Sequence, residues 1–286
     1  MTRSTPRFQS HQVLGRLLQL SLTPVAITVN IEVDLLGESP KADALLLRRQ
    51  GSAWNAAQRA RLPDGVRDSA AGHVLIEFKY TESVNERALA QAVAYDHFYR
   101  QAQRLPEEQA LLTVMLSAKT PQKARLAEWG YREAHAGVYH SALPLLRRVR
   151  LLVLNELPSK PHNAYVKLFA SREREREAAF EALSEPEVTI SSQLHAYMFG
   201  LQETLDVMGE SNMAEMLTPD RIMEIGEKIR QRVLDAATPE ERLAGLDPEE
   251  RLRGLTLAER RHLLQLLQKE ASAPSGDITN GNDDPA

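Results

Sequence analysis

The sequence predicts an α/β fold, a mixed β-sheet flanked by helices, followed by an α-helical C-terminal region. Three observations carry this. Strand-like and helix-like patterns alternate through about residue 160, the β signal stops beyond residue 171, and a nine-residue repeat follows near the end. At 286 residues with 43% apolar and 26% charged side chains, the chain is long enough for one full core and a smaller appendage.

The elements follow in order. "FQSHQVLGRLLQL" (8–20) places apolar residues at helical spacing, and "VAITVNIEVDLL" (25–36) alternates and is rich in β-branched residues, as a strand is. "KADALLLRR" (41–49), after the Gly37 to Pro40 break, reads as its hairpin partner, and residues 50–72 read as loop or short irregular structure. "HVLIEFKY" (73–80) is a strand with Val74, Ile76 and Phe78 on one face and Leu75, Glu77 and Lys79 on the other. Ser83 and Glu86 have the spacing of a capping box for a long helix over 83–105. A strand over 110–118, a helix over 121–130 ending at Gly130, and a strand over 149–157 complete the pattern. Phe98, Tyr99 and Trp129 are expected in the core, and His135 and His140 on the surface or in a loop.

These patterns divide the chain into a domain at 1–170, a helical region at 171–270 and a disordered tail at 271–286. The repeat units "TPEERLAGL", "DPEERLRGL" and "TLAERRHLL" each set a cap residue (Thr238, Asp247, Thr256) three positions before a glutamate (Glu241, Glu250, Glu259). The charge is uneven: residues 1–170 hold 22 Lys and Arg against 15 Asp and Glu, whereas residues 171–286 hold 13 against 24. A basic half collects a polyanion or attracts the acidic half, and charge alone weighs the two equally.

The chain has no cysteine, which excludes disulfides, thiolate metal sites and cysteine nucleophiles. No segment has the length and apolarity of a signal peptide core or a membrane span, so a cytoplasmic protein without membrane contact is expected. The glycine fingerprints of P-loop and dinucleotide-binding enzymes and the serine-hydrolase elbow do not occur.

The chemistry concentrates at Glu77 and Lys79. An acid and an amine on a mostly apolar strand are costly to bury unless they pair or meet a cation. Asp43 puts a second carboxylate at the start of another apolar strand, where alternation groups it with Leu45 and Leu47. Two carboxylates converging from adjacent strands form a hard oxygen site suited to Mg²⁺, and a lysine beside them offsets charge developing on a phosphate. An E-x-K tripeptide taken alone is usually a solvated ion pair.

Asp43 followed by "LIEFK", with Glu77-x-Lys79, resembles the PD-(D/E)XK nuclease superfamily. Gln91 and Tyr95, at i and i+4 of the next helix, are similar to that superfamily's Gln-xxx-Tyr element. Within it, the order "ADALL", "IEFK", "KTP" (119–121), "NELP" (155–158) and "KLFAS" (167–171) resembles the Rpn-type group of recombination-promoting, transposase-like nucleases.

The resemblance covers roughly residues 25–180 and implies a restriction-endonuclease-like core and a metal-dependent DNA endonuclease. It also implies Mg²⁺ or Mn²⁺ as cofactor. Asp43, Glu77 and Lys79 would be the catalytic set, with Asp43, Glu77 and the Phe78 backbone carbonyl on the metal and Gln91 and Tyr95 in support. The sequence departs from the pattern in having Ala42 before Asp43 and no acid in the opening helix; Glu32, which shares a strand face with Asp34, is a further candidate ligand. The alternative is a catalytically inactive nuclease fold that binds nucleic acid or serves in assembly. The expected partners are DNA, a second copy in a homodimer, and a protein partner or the chain's own nuclease domain for the acidic helical region.

Overall fold

The computed structural model describes residues 10–31, 33–34, 41–42, 44–105, 110–185, 188–212, 218–238, 252 and 255–271. The chain divides into two compact units, residues 1–231 and 232–286. The first is an α/β unit built on a seven-stranded mixed sheet.

Helix α1 (Ser10–Leu22) leads through a short 3₁₀ turn into β1 (Ile27–Asn30). A separate two-stranded ribbon pairs β2 (Val33–Asp34) with β3 (Lys41–Ala42). The single strand expected over 25–36 is therefore two, and so is its partner, which continues as β4 (Ala44–Arg49). A one-turn helix α2 (Ala56–Arg59), with a capping box between Asn55 and Gln58, lies inside the segment expected as loop or short irregular structure. Then come β5 (His73–Lys79), α3 (Glu86–Gln103), β6 (Leu111–Ser117), α4 (Lys123–Glu128), β7 (Tyr131–His135), β8 (Val138–Ser141) and β9 (Val149–Val153). The unit continues through α5 (Pro161–Lys167), α6 (Glu173–Leu183), α7 (Ser192–Asn212) and the first turns of α8 (Pro219–Ala236).

The sheet order is β1-β4-β5-β6-β9-β8-β7. Only β5, β6 and β9 run parallel; the outer strands pair antiparallel on both sides. Directly opposed residues share a face, so the register assigns the faces without ambiguity. Leu45, Leu47, Val74, Ile76, Phe78, Val114 and Leu152 form one face and build the main core with α1, α5, α6 and α7. On the other face Ala44, Leu46, Leu75, Met115, Leu151 and Val153 pack under α3 through Ala88, Leu89, Ala92 and Tyr99. That face carries Glu77, which stands opposite Ala44 and Met115. Apolar residues on both faces are what a sheet covered by helices on each side requires.

Several expectations are corrected here. The α3 cap is Asn85, whose side chain accepts a hydrogen bond from the Ala88 N–H, and Glu86 is the first helical residue instead of a partner to Ser83. His135 and His140 are surface residues as expected, and the surface they occupy is that of two strands and not of a loop. Phe98 is 37% exposed, one position round the helix from buried Tyr99. The boundary read at residue 170 falls inside the first unit, because Ala179, Leu183, Tyr197 and Leu201 belong to the main core. In the second unit α9 (Leu257–Ala271) begins at the third repeat. Its capping box is formed: Glu259 N–H donates to Thr256 Oγ1, and Thr256 N–H donates to Glu259 Oε2. Residues 239–251, with most of the first two repeats, and the tail from 272 lie outside the described residues.

Candidate functional site

Glu77 and Lys79 alternate onto the same face at the C-terminal end of β5, as their spacing predicts. Lys79 Nζ lies 2.8 Å from Glu77 Oε1, with the side chains 20% and 4% exposed. A carboxylate this deep is tolerable only with charge or donors beside it, and the ammonium supplies one. The strand end is fixed by the Ala118 N–H, which donates to the Lys79 carbonyl. Phe78 itself points to the main core, edge-on to Phe169.

Gln91 and Tyr95 are joined by a hydrogen bond along α3. Tyr95 packs on the cluster of Ala44, Leu46 and Leu75, which are the same-face neighbours of Glu77 on β4 and β5. The supporting pair and the acid–amine pair thus belong to one helix-covered layer. Asp43 and Glu32 lie outside the described residues. The register does bear on the alternation that groups Asp43 with Leu45 and Leu47, because those two leucines occupy the face away from Glu77. Among the described residues no group of three or more His, Asp or Glu could hold a metal ion. Glu77 offers a hard oxygen donor of the type Mg²⁺ takes, and the further carboxylates expected beside it, Asp43 and Glu32, lie outside the described residues.

A second group of polar side chains gathers at the same end of the sheet. Asn155, which follows β9, donates to Ser171 Oγ at 3.0 Å and to Thr120 Oγ1 at 3.4 Å, and its carbonyl oxygen accepts from the Arg172 N–H. The Ser171 N–H donates to the Ala118 carbonyl. The segments "KTP", "NELP" and "KLFAS", distant in sequence, therefore meet through one buried amide. Buried Lys167 closes the joint by donating to the Leu157 carbonyl at 2.6 Å and to Glu175 at 2.5 Å. Burial pushes the Glu175 carboxyl up, but the hydrogen bond and charge of Lys167 outweigh it and hold it below the usual range. Beside Thr120, the start of α3 and the chain after β6 enclose a cleft of about 700 Å³ lined by Asn85, Arg87, Gln122, Arg125 and Trp129.

Two further constellations have no counterpart in the sequence reading. Asp96, 2% exposed, accepts hydrogen bonds from Thr113 at 2.7 Å and Arg100 at 2.8 Å, with Arg148 3.9 Å away. Asp96 and Arg100 are an i, i+4 pair that the helical spacing could have revealed; their partner Thr113 arrives from another strand. Asp64 ties the loop after α2 to α5 through His162 at 2.9 Å and Asn163 at 2.8 Å. Burial raises the Asp64 carboxyl and these hydrogen bonds more than reverse it, whereas burial depresses His162 despite the neighbouring carboxylate.

Comparison of the chain with protein-family models, with curated proteins and with solved structures gives no match. No helix among the described residues is long and apolar enough to cross a membrane.

Proposed function

We propose that this α/β protein is a metal-dependent DNA endonuclease of the PD-(D/E)XK kind with a restriction-endonuclease-like core, resembling the Rpn-type group. The observation that carries the reading is the pairing of buried Glu77 with partly exposed Lys79 at the carboxyl end of the central parallel strands, where open α/β sheets place their ligands. It is supported by the linked Gln91 and Tyr95 on the covering helix and by the meeting of three resemblance segments at Asn155. Glu77, Asp43 and the Phe78 carbonyl would hold Mg²⁺ or Mn²⁺, with Glu32 a further candidate. The metal would polarise the scissile phosphate and acidify a bound water. Lys79 would then steady charge growing on the phosphate, and Gln91 with Tyr95 would fix the layer in which Glu77 stands.

The test is cleavage of plasmid DNA with Mg²⁺. Lys79→Ala and Glu77→Gln should each lower the rate by about 100-fold or more, the size of effect seen when one transition-state donor is lost. Cleavage that persists in both variants removes these residues from the mechanism. A second reading is favoured by one observation: Leu45 and Leu47 lie on the face away from Glu77, so strand alternation alone does not bring Asp43 to it. On that reading the fold is a catalytically inactive nucleic-acid-binding or assembly module, and duplex binding is retained with no cutting in any divalent cation.

A further inference from the structure

The opposite edge of the sheet has a different chemistry. Strand β4 ends, and β5, β6 and β9 begin, at this edge, with Arg48 opposite His73 and His73 opposite Leu111. Arg147 and Arg148 immediately precede β9 and are exposed, and Arg150 follows within it. Arg100 reaches the same place from α3 and is anchored by Asp96 and by the Leu111 carbonyl at 2.8 Å. Arg100, Arg147, Arg148 and Arg150, with Ala70 and Leu111, line a cleft of about 660 Å³. Asp96 is the carboxylate paired with this group, so the row keeps an excess of positive charge.

We propose that this arginine row is a binding surface for the phosphate backbone of nucleic acid, separate from the Glu77–Lys79 end. Successive strands stand about 4.8 Å apart, so guanidiniums distributed from β4 to β9 extend over roughly 14 Å. That is too spread for one small oxyanion and fits a linear polyanion. The cations in the row are arginines, whose planar forks bind phosphate oxygens in pairs and stay charged when partly desolvated. Arg100 and Arg150 are held in place by carboxylate and carbonyl groups, Arg150 through the Gly65 carbonyl, so part of the surface is ordered before a ligand arrives. The seven residues of β5 separate the row from Lys79 by about 20 Å, so the surface contributes hold on the backbone and not chemistry.

The experiment measures binding of a short fluorescein-labelled DNA duplex to the full chain in EDTA, across a salt series. The variant Arg147→Gln/Arg148→Gln should bind more weakly, and its slope of log K against log salt should fall by about two, one per lost phosphate contact. Inorganic phosphate at matched ionic strength should not displace the duplex. Affinity and slope unchanged in the double variant overturn the proposal, as does displacement by inorganic phosphate. If the substitutions instead leave duplex binding unaltered and make residues 239–286 more open to protease, the row holds the chain's own acidic region and the proposal fails. Because EDTA removes turnover from the measurement, this outcome is independent of the plasmid cleavage test at Lys79.

Discussion

At the scale of single residues, Glu77 is where stability and the proposed chemistry meet. A carboxylate only 3% exposed loses most of its hydration, and Lys79 Nζ at 2.8 Å compensates part of that loss. Removing one member of a buried pair typically costs 3–5 kcal/mol; with Lys79 still 20% exposed, water screens part of the effect and about 2 kcal/mol is expected. Lys79→Met should therefore lower urea-unfolding stability by about that much, and Glu77→Gln added to it should restore most of the loss. A solvated surface pair would leave the single variant unmoved. The strand parity that unites these two residues was legible in "LIEFK", because alternation is local. The partners of Asp96 were not legible, since Thr113 comes from β6 and Arg148 from the turn before β9, and only the assembled layer puts them within reach.

At the scale of elements, the crossing of α7 and α8 rests on two glycines. A Cβ added at Gly226 would lie 1.7 Å from the Ala196 carbonyl oxygen, and one at Gly200 would lie 2.0 Å from that of Ile222. The two helix backbones are thus in direct contact, and no side-chain rotation relieves the clash. Helix propensity alone makes Gly226→Ala stabilising by about 1 kcal/mol. The expected outcome is the reverse, a loss of about 2–3 kcal/mol as the helices are forced apart, read by thermal or urea unfolding. Element existence was easier to read than element ends. Ser83 and Asn85 are both good caps before the same helix, and the fold uses Asn85, so a correct helix was given the wrong first turn. The β7–β8 hairpin escaped notice because four of the five β7 residues are exposed and its pattern is charged instead of alternating. Its turn is set by Gly137 at φ +71°, where an added Cβ would meet the Leu157 nitrogen at 2.6 Å.

At the scale of the whole molecule, the alternation of strands and helices was enough to foresee a sheet with two helical covers, but not the depth of its core. The helices from 173 onward look polar in sequence, with "REREREAAFE" the extreme case, yet Ala179, Ala182 and Leu183 close the main core. The joints that hold these layers together respond to pH in one direction. Burial depresses His73, beside Tyr99 and Arg48, and His162, beside Asp64, below the usual 6.5. A histidine kept neutral in the fold takes up a proton more readily once the chain unfolds. The stabilisation is therefore complete above pH 6.5 and falls as pH drops toward the depressed values. Asp64 and Glu175 are depressed as well, which adds stability above their ordinary values of 3.8 and 4.5 that is lost as pH falls further. All four groups thus make the unfolded chain the better proton acceptor. The urea midpoint should decline from pH 7.5 to 5.5 through the histidines and again below about pH 4.5 through the carboxylates. His73→Gln should make the first decline shallower, leaving the part due to His162, and should leave the second unchanged, whereas Glu175→Gln should weaken the second. A midpoint that rises on acidification would show that the histidines gain charge in the fold, the opposite of what their burial requires.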